Sequence, residues 1–195
     1  MRFLRQVCQS LAEAHERNLI HRDVKPANVY VCRYGREVDF IKVLDFGLVK
    51  AERELAGTDV SVTIAHAPGG TPAFMAPEQI LGKGAVDHRS DIYAVGCLGY
   101  WLLTGQILFT GKTSLEVMMH HVDTPPPAPS TGTEIPVPEA LDRVILQCLE
   151  KDPGRRPQSA DQLSAMLARC CLEPDWTDER AHAWWEMYHP QAEVS

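Results

Sequence analysis

HRDVKPANV, residues 21–29, places a His, an Arg, an Asp, a Lys and an Asn within eight residues, directly after the apolar pair Leu19 and Ile20. Each polar residue has a chemical use. Asp23 can accept a proton from a hydroxyl. Lys25, two residues on, presents a point positive charge to a phosphate. Asn28, five residues after Asp23, offers a carbonyl oxygen of the kind Mg²⁺ prefers. Asp45 follows at the end of a β-rich run, beside Phe46 and the flexible Gly47. A base, a cation and two oxygen ligands are what phosphoryl transfer asks of a protein, because that chemistry depends on positioning and charge stabilisation. A charged surface turn is the competing reading of HRD alone, and a common turn that of DFG alone.

The surrounding pattern predicts a mainly α fold with one small β-hairpin. Phe3, Leu4, Val7, Leu11 and Ala14 recur at helical spacing, which predicts a helix over 3–17 that ends near Asn18. Leu19 to His21 reads as a short extended piece. NVYVC and VDFIKVL are β-rich runs joined by RYGRE, a hairpin signal. From Asp45 to Gly70 periodicity is lost and Ser, Thr, Gly and charges are frequent, which predicts a long functional or disordered loop. Helices are expected at 89–104, 114–121, 138–150 and 159–171, with Pro138 in a first helical turn and Ser159 with Gln162 as a capping box. DTPPPAPSTGTEIPVP is an extended, Pro-rich connection. His120 and His121 are read as solvated.

With 195 residues, 45% hydrophobic and 23% charged, the composition is that of a globular domain. The net charge of −7, without basic runs, argues against nucleic acid as a partner. No segment reads as a signal peptide or membrane span; the apolar run around residues 92–103 is short, holds two glycines and suits a buried helix. The six cysteines show no metal-ligand spacing, so reduced thiols and a cytoplasmic location are expected, with Cys170 and Cys171 as packing residues.

Four motifs fall in order: HRD at 21–23, KPAN at 25–28, DFG at 45–47 and APE at 76–78, with Asp45 22 residues after Asp23. Together they resemble the signature set of eukaryotic-like (Hanks-type) Ser/Thr protein kinases, in wording that looks bacterial. The resemblance covers the C-terminal lobe, an α+β unit over 1–171 with a catalytic loop at 21–28 and an activation segment at 45–78. A tail at 172–195 carries an amphipathic Trp-rich helix. The Gly-rich loop and the β-strand Lys of the family's N-terminal lobe are not among these residues. That lobe is therefore expected to be missing from this chain, and the chain alone to have negligible activity.

The resemblance implies ATP and Mg²⁺ as cofactors and protein Ser or Thr hydroxyls as substrate. It implies that Asp23 is the catalytic base, that Lys25 meets the γ-phosphate, that Asn28 and Asp45 hold the metal, and that Tyr30 lies under the adenine. It further implies that His21 and Phe46 stack between the lobes, that Glu78 pairs with Arg156, and that Asp91 bonds the catalytic-loop backbone. Thr71 would approach Asp23 and Lys25. Arg22 would receive a phosphorylated loop residue, with Thr63 the expected autophosphorylation site. Two other readings compete. One is a pseudokinase-like binding or regulatory fragment, disfavoured by the intact polar set. The other is a small-molecule phosphotransferase, disfavoured by MAPE. The tail helix, with Ala181, Trp184, Trp185 and Tyr188 on one face, is expected to fold back onto the domain, the alternative being a docking helix for a partner.

Overall fold

The computed structural model describes residues 1–46, 72–82, 86–170 and 176–189. Gly47, Thr63, Thr71, Cys171 and most of the expected long loop lie outside the described residues. Seven helices and one hairpin are seen among the described residues. They are α1 (Arg2–Glu16), β1 (Val29–Tyr34), β2 (Glu37–Val43), α2 (Pro77–Leu81), α3 (Arg89–Thr104), α4 (Ser114–Asp123), α5 (Glu139–Cys148), α6 (Ala160–Ala168) and α7 (Asp178–Tyr188). The fold is mainly helical, as the periodicity predicts. No helix among these residues is long and apolar enough to cross a membrane.

The organising element is α3. It is apolar around its whole circumference, and a helix of that kind must be wrapped on all sides. Residues Ser90 to Tyr100 are all buried. Leu4, Val7, Cys8 and Leu11 of α1, Leu141, Ile145 and Cys148 of α5, and Leu163 and Leu167 of α6 join it in one core. Two glycines set how closely α5 approaches. A Cβ at Gly96 would lie 2.7 Å from the Cβ of Cys148, and one at Gly99 would lie 2.5 Å from Cδ1 of Ile145. The described cysteines are free thiols. Burial pushes Cys8 up to about 12, so it behaves as a small apolar core residue.

The hairpin is antiparallel, with Val29 opposite Val43 and Val31 opposite Ile41. RYGRE is not a five-residue loop. Both strands run on to Tyr34 and Glu37, because Gly35 adopts φ +61° and lets the chain reverse over two residues. The pairing is irregular between Cys32 and Tyr34, and across from it Asp39 also sits at positive φ.

Helix ends differ from the predicted ones by local chemistry. Pro138 is the residue before α5, not part of its first turn. Ser159 caps α6 by accepting from the Gln162 amide, but the Gln162 side chain returns to the amide of Gln158, so the box is only half closed. The five-residue α2 escapes a periodicity argument through its shortness.

His121 corrects the expectation that it is solvated: it is fully buried. Its Nδ1 lies 2.9 Å from the Tyr93 hydroxyl, and its Nε2 is buried without a hydrogen bond. The end of α4 is capped by Lys151, whose Nζ donates to the carbonyls of His120 and His121 at 3.2 and 2.8 Å. Burial, with the nearby Lys151 ammonium, holds His121 down at about 4. The unfolded chain therefore takes up a proton near pH 6.5 that the folded chain refuses, and stability falls as pH drops from about 6.5 to 4. The loss is about 3 kcal/mol. Urea unfolding of the wild type and His121→Gln at pH 7 and pH 4 should show the gap between them shrinking by that amount. An unchanged gap would refute the burial of a neutral imidazole.

Candidate active site

The loop at 21–28 is fixed from beneath by Asp91, in the first turn of α3 and fully buried. Its Oδ2 accepts the His21 amide at 2.9 Å and its Oδ1 accepts the Arg22 amide at 2.8 Å. His15, at the end of α1, adds a third bond from Nε2 to Oδ2 at 2.8 Å. A buried carboxylate needs such donors, since an unpaired charge in the interior costs several kcal/mol. These bonds hold Arg22 at φ +67°, a conformation a non-glycine residue adopts only when its surroundings impose it.

The two sides of the His21 ring have different partners. Nε2 lies 2.8 Å from the Leu44 carbonyl, which can only accept, so Nε2 carries the proton. Nδ1 then accepts the Asp23 amide at 3.3 Å. The ring also packs on Phe46, with centroids 4.6 Å apart. The Leu44 amide donates to the Asn28 carbonyl at 2.9 Å. The residues on both sides of Asp45 are thus held by the 21–28 loop, and Asp45 stands between them, exposed, at φ +63°.

Within the loop, Pro26–Asn28 forms one 3₁₀ turn. Asn28 Nδ2 donates to the Asp23 carbonyl at 2.8 Å and to Asp23 Oδ2 at 3.0 Å. Lys25 Nζ lies 2.8 Å from the same Oδ2. Both partners therefore occupy one oxygen of Asp23, and the other has no side-chain partner among the described residues. The Lys25–Asp23 pair is partly exposed, so it contributes at most about 1 kcal/mol, and Lys25 can leave it at little cost. Tyr30 on β1 is 55% exposed.

Farther out, Arg156 is buried and spends all five of its donors. Nη1 and Nη2 grip Glu78 at 2.7 and 2.8 Å, and the remaining bonds go to the carbonyls of Glu150, Arg89 and Lys151. Glu78 opens α2, so this pair ties α2 to the helical base. Two contacts escape a reading of the sequence alone. Gln79 donates to the Arg22 carbonyl at 3.0 Å and accepts the Ala76 amide at 3.0 Å, bridging α2 to the loop. His15 is the other. Each meets its partner 57 or more positions away, and nothing in the local pattern marks either one.

Comparison with known proteins follows the same lines. The protein kinase domain family matches residues 1–167. Among similar proteins, the serine/threonine-protein kinase Pkn1 of Myxococcus xanthus is 44% identical over 78% of this chain and 21% of its own length. Pkn3 of the same organism is 39% identical over 86% of the chain and 30% of its own length. PknB of Mycolicibacterium smegmatis is 41% identical over 83% of the chain and 24% of its own length. The chain spans less than a third of the length of these curated relatives, and it belongs to the protein kinase domain family.

The Glu78–Arg156 pair generates a stability test. Glu78→Ala leaves the guanidinium buried without its counter-charge, which costs about 3–5 kcal/mol. Denaturant unfolding of wild type and variant measures this, and a loss below about 1 kcal/mol would show that the pair does not anchor α2.

Proposed function

We propose that the chain carries the catalytic face of a protein Ser/Thr kinase that transfers the γ-phosphate of ATP to protein hydroxyls with Mg²⁺. The observation that carries the reading is the division of labour at Asp23. Asn28 and Lys25 both engage Oδ2, which leaves Oδ1 to accept the proton of an incoming hydroxyl. The matched family and the names of the relatives support it.

The donor set suits the metal. Mg²⁺ takes one or two protein oxygens and completes its shell with water and substrate phosphate. Asn28 has both amide hydrogens directed at Asp23, so its carbonyl oxygen is the atom left to offer. Asp45 adds an exposed carboxylate on a segment fastened to the same loop. When bound, the metal would neutralise the charge that develops on the phosphates. The residues of this chain do the rest. Lys25 exchanges a weak surface pair for a phosphate oxygen, and Asp23 orients the hydroxyl and takes its proton. The imidazole of His21, locked between Leu44 and the Asp23 amide, keeps the two halves of the site in register. Tyr30, open to solvent on β1, supplies an apolar floor for the base. The phosphate-covering Gly-rich loop and strand Lys are not among residues 1–195, so this reading expects slow transfer until those parts are supplied, by the same polypeptide or another.

The test joins a Gly-rich-loop small lobe to residue 1 and follows phosphate transfer from Mg-ATP to a Ser/Thr peptide. Asp23→Asn should lower kcat by about 10²- to 10⁴-fold with little change in the KM for ATP. Asp45→Asn should weaken Mg²⁺-dependent nucleotide binding itself. Wild-type kcat in the Asp23→Asn protein would rule out Asp23 as the base.

A further inference from the structure

Asp39 lies in the middle of β2, where an apolar or neutral residue is usual, yet it is buried, charged and at φ +58°. Its carboxylate finds its donors far away in sequence. Oδ2 accepts from Nε1 of Trp176 at 2.6 Å and Oδ1 from Nε1 of Trp185 at 2.7 Å. Both indoles lie beyond the matched kinase region, which ends at 167. Position 39 is thus matched to the tail: where the indoles cover it, their two N–H groups supply the donors that its carboxylate would otherwise take from water.

Among the described residues, the rest of the tail's attachment is mainly polar. In α7 only Ala181 is buried. Arg2 pairs with Asp178, and Arg33 donates to the His189 carbonyl at 2.9 Å while its guanidinium stacks over Trp185. The expected apolar stripe is split. Trp185 turns inward, while Trp184 and Tyr188 are 41% and 60% exposed. A cavity of about 490 Å³ remains between the tail and the body, walled by Met1, Phe3, Val31 and the three tail tryptophans. A helix held mainly by polar clamps beside an apolar cavity is a strap that can leave.

The clamp is also wired to the site. Gln6 of α1 donates to the Asp39 carbonyl at 2.8 Å and accepts the Ile41 amide at 3.0 Å, locking the irregular stretch to α1. From there β2 runs through Val43 to Leu44, which bonds both Asn28 and His21, and then to Asp45. We propose that residues 176–189 form a detachable strap, docked on Asp39, whose presence orders β2 and so positions Asp45. Asp39 is in this account a positioning residue. The regulatory consequence rests on the proposed function: by linkage, whatever releases the strap weakens the Mg-nucleotide site, and Mg-nucleotide favours the docked strap.

Hydrogen–deuterium exchange on the 195-residue chain tests this without needing activity. Wild type is compared with Asp39→Asn and with Trp185→Phe, which keeps an aromatic side chain, though a smaller one, and removes the indole N–H donor. Peptides covering 176–189 and 40–46 should both exchange about tenfold faster or more in each variant. Fast exchange in the tail with 40–46 unchanged would make the strap a passenger and overturn the proposal. Unchanged exchange in the tail would overturn Asp39 as its anchor. Mg-ATP titration by calorimetry, whose signal does not depend on the tail, separates the two readings. Coupled exchange with no Mg-ATP binding, even after a Gly-rich-loop lobe is joined to the chain, would sink the site's function and leave the strap standing. Wild-type binding that is equally tight in both variants would sink the coupling and leave the function.

Discussion

A carboxylate sealed from water in the first turn of α3 is the constraint on which the rest of this molecule turns. Asp91 cannot be left without donors, and three groups supply them: the amides of His21 and Arg22 and the ring of His15. Two consecutive amides held at one carboxylate fix two consecutive peptide planes. Arg22 accepts an unfavourable backbone angle in return. Once the chain is pinned there, the His21 ring is aimed at Leu44 and Phe46, and the strand end that carries Asp45 is drawn to the same place. The most apolar helix of the fold thus serves as the rigid base on which a polar loop is mounted, so the site gains precision from a core element.

Arg156 applies the same logic at the periphery. A buried guanidinium is tolerable only when every donor is matched, and here one carboxylate and three carbonyls match all five. An apolar pair of similar volume could hold α2 about as firmly. What the ion pair adds is direction. The planar fork accepts Glu78 in one orientation, and Gln79, the next residue, is thereby presented to the Arg22 carbonyl. The loop is gripped from below by Asp91 and from the side by α2.

Much of this was legible from the residues because the informative signals are local. The all-apolar run of α3, the β-rich runs around Gly35 and the compact HRDVKPAN loop each state their structure within a dozen positions. The family resemblance carried by the motifs then implied the long-range pairings of Asp91 with the catalytic-loop backbone, Glu78 with Arg156, and His21 with Phe46. What stayed hidden has a common cause. His15, His121, Gln79 and Asp39 are ordinary polar residues whose meaning comes from partners 28 to 146 positions away. A histidine at the end of an amphipathic helix looks solvated until the fold buries it. An aspartate in a strand looks like a surface residue until two indoles arrive from the tail.

On the proposed function, the loop anchored by Asp91 brings Asp23, Asn28 and Asp45 to one metal-bound triphosphate. The most direct measurement is paramagnetic broadening of the chain's amide resonances by Mn²⁺-ATP. Broadening is expected at the Asn28 side-chain amide and at the backbone amides of residues 23–25, 27, 28 and 44–46, and is expected to be lost in Asp45→Asn. Broadening centred elsewhere, such as on the acidic surface of α7, or equal broadening in Asp45→Asn, would contradict it.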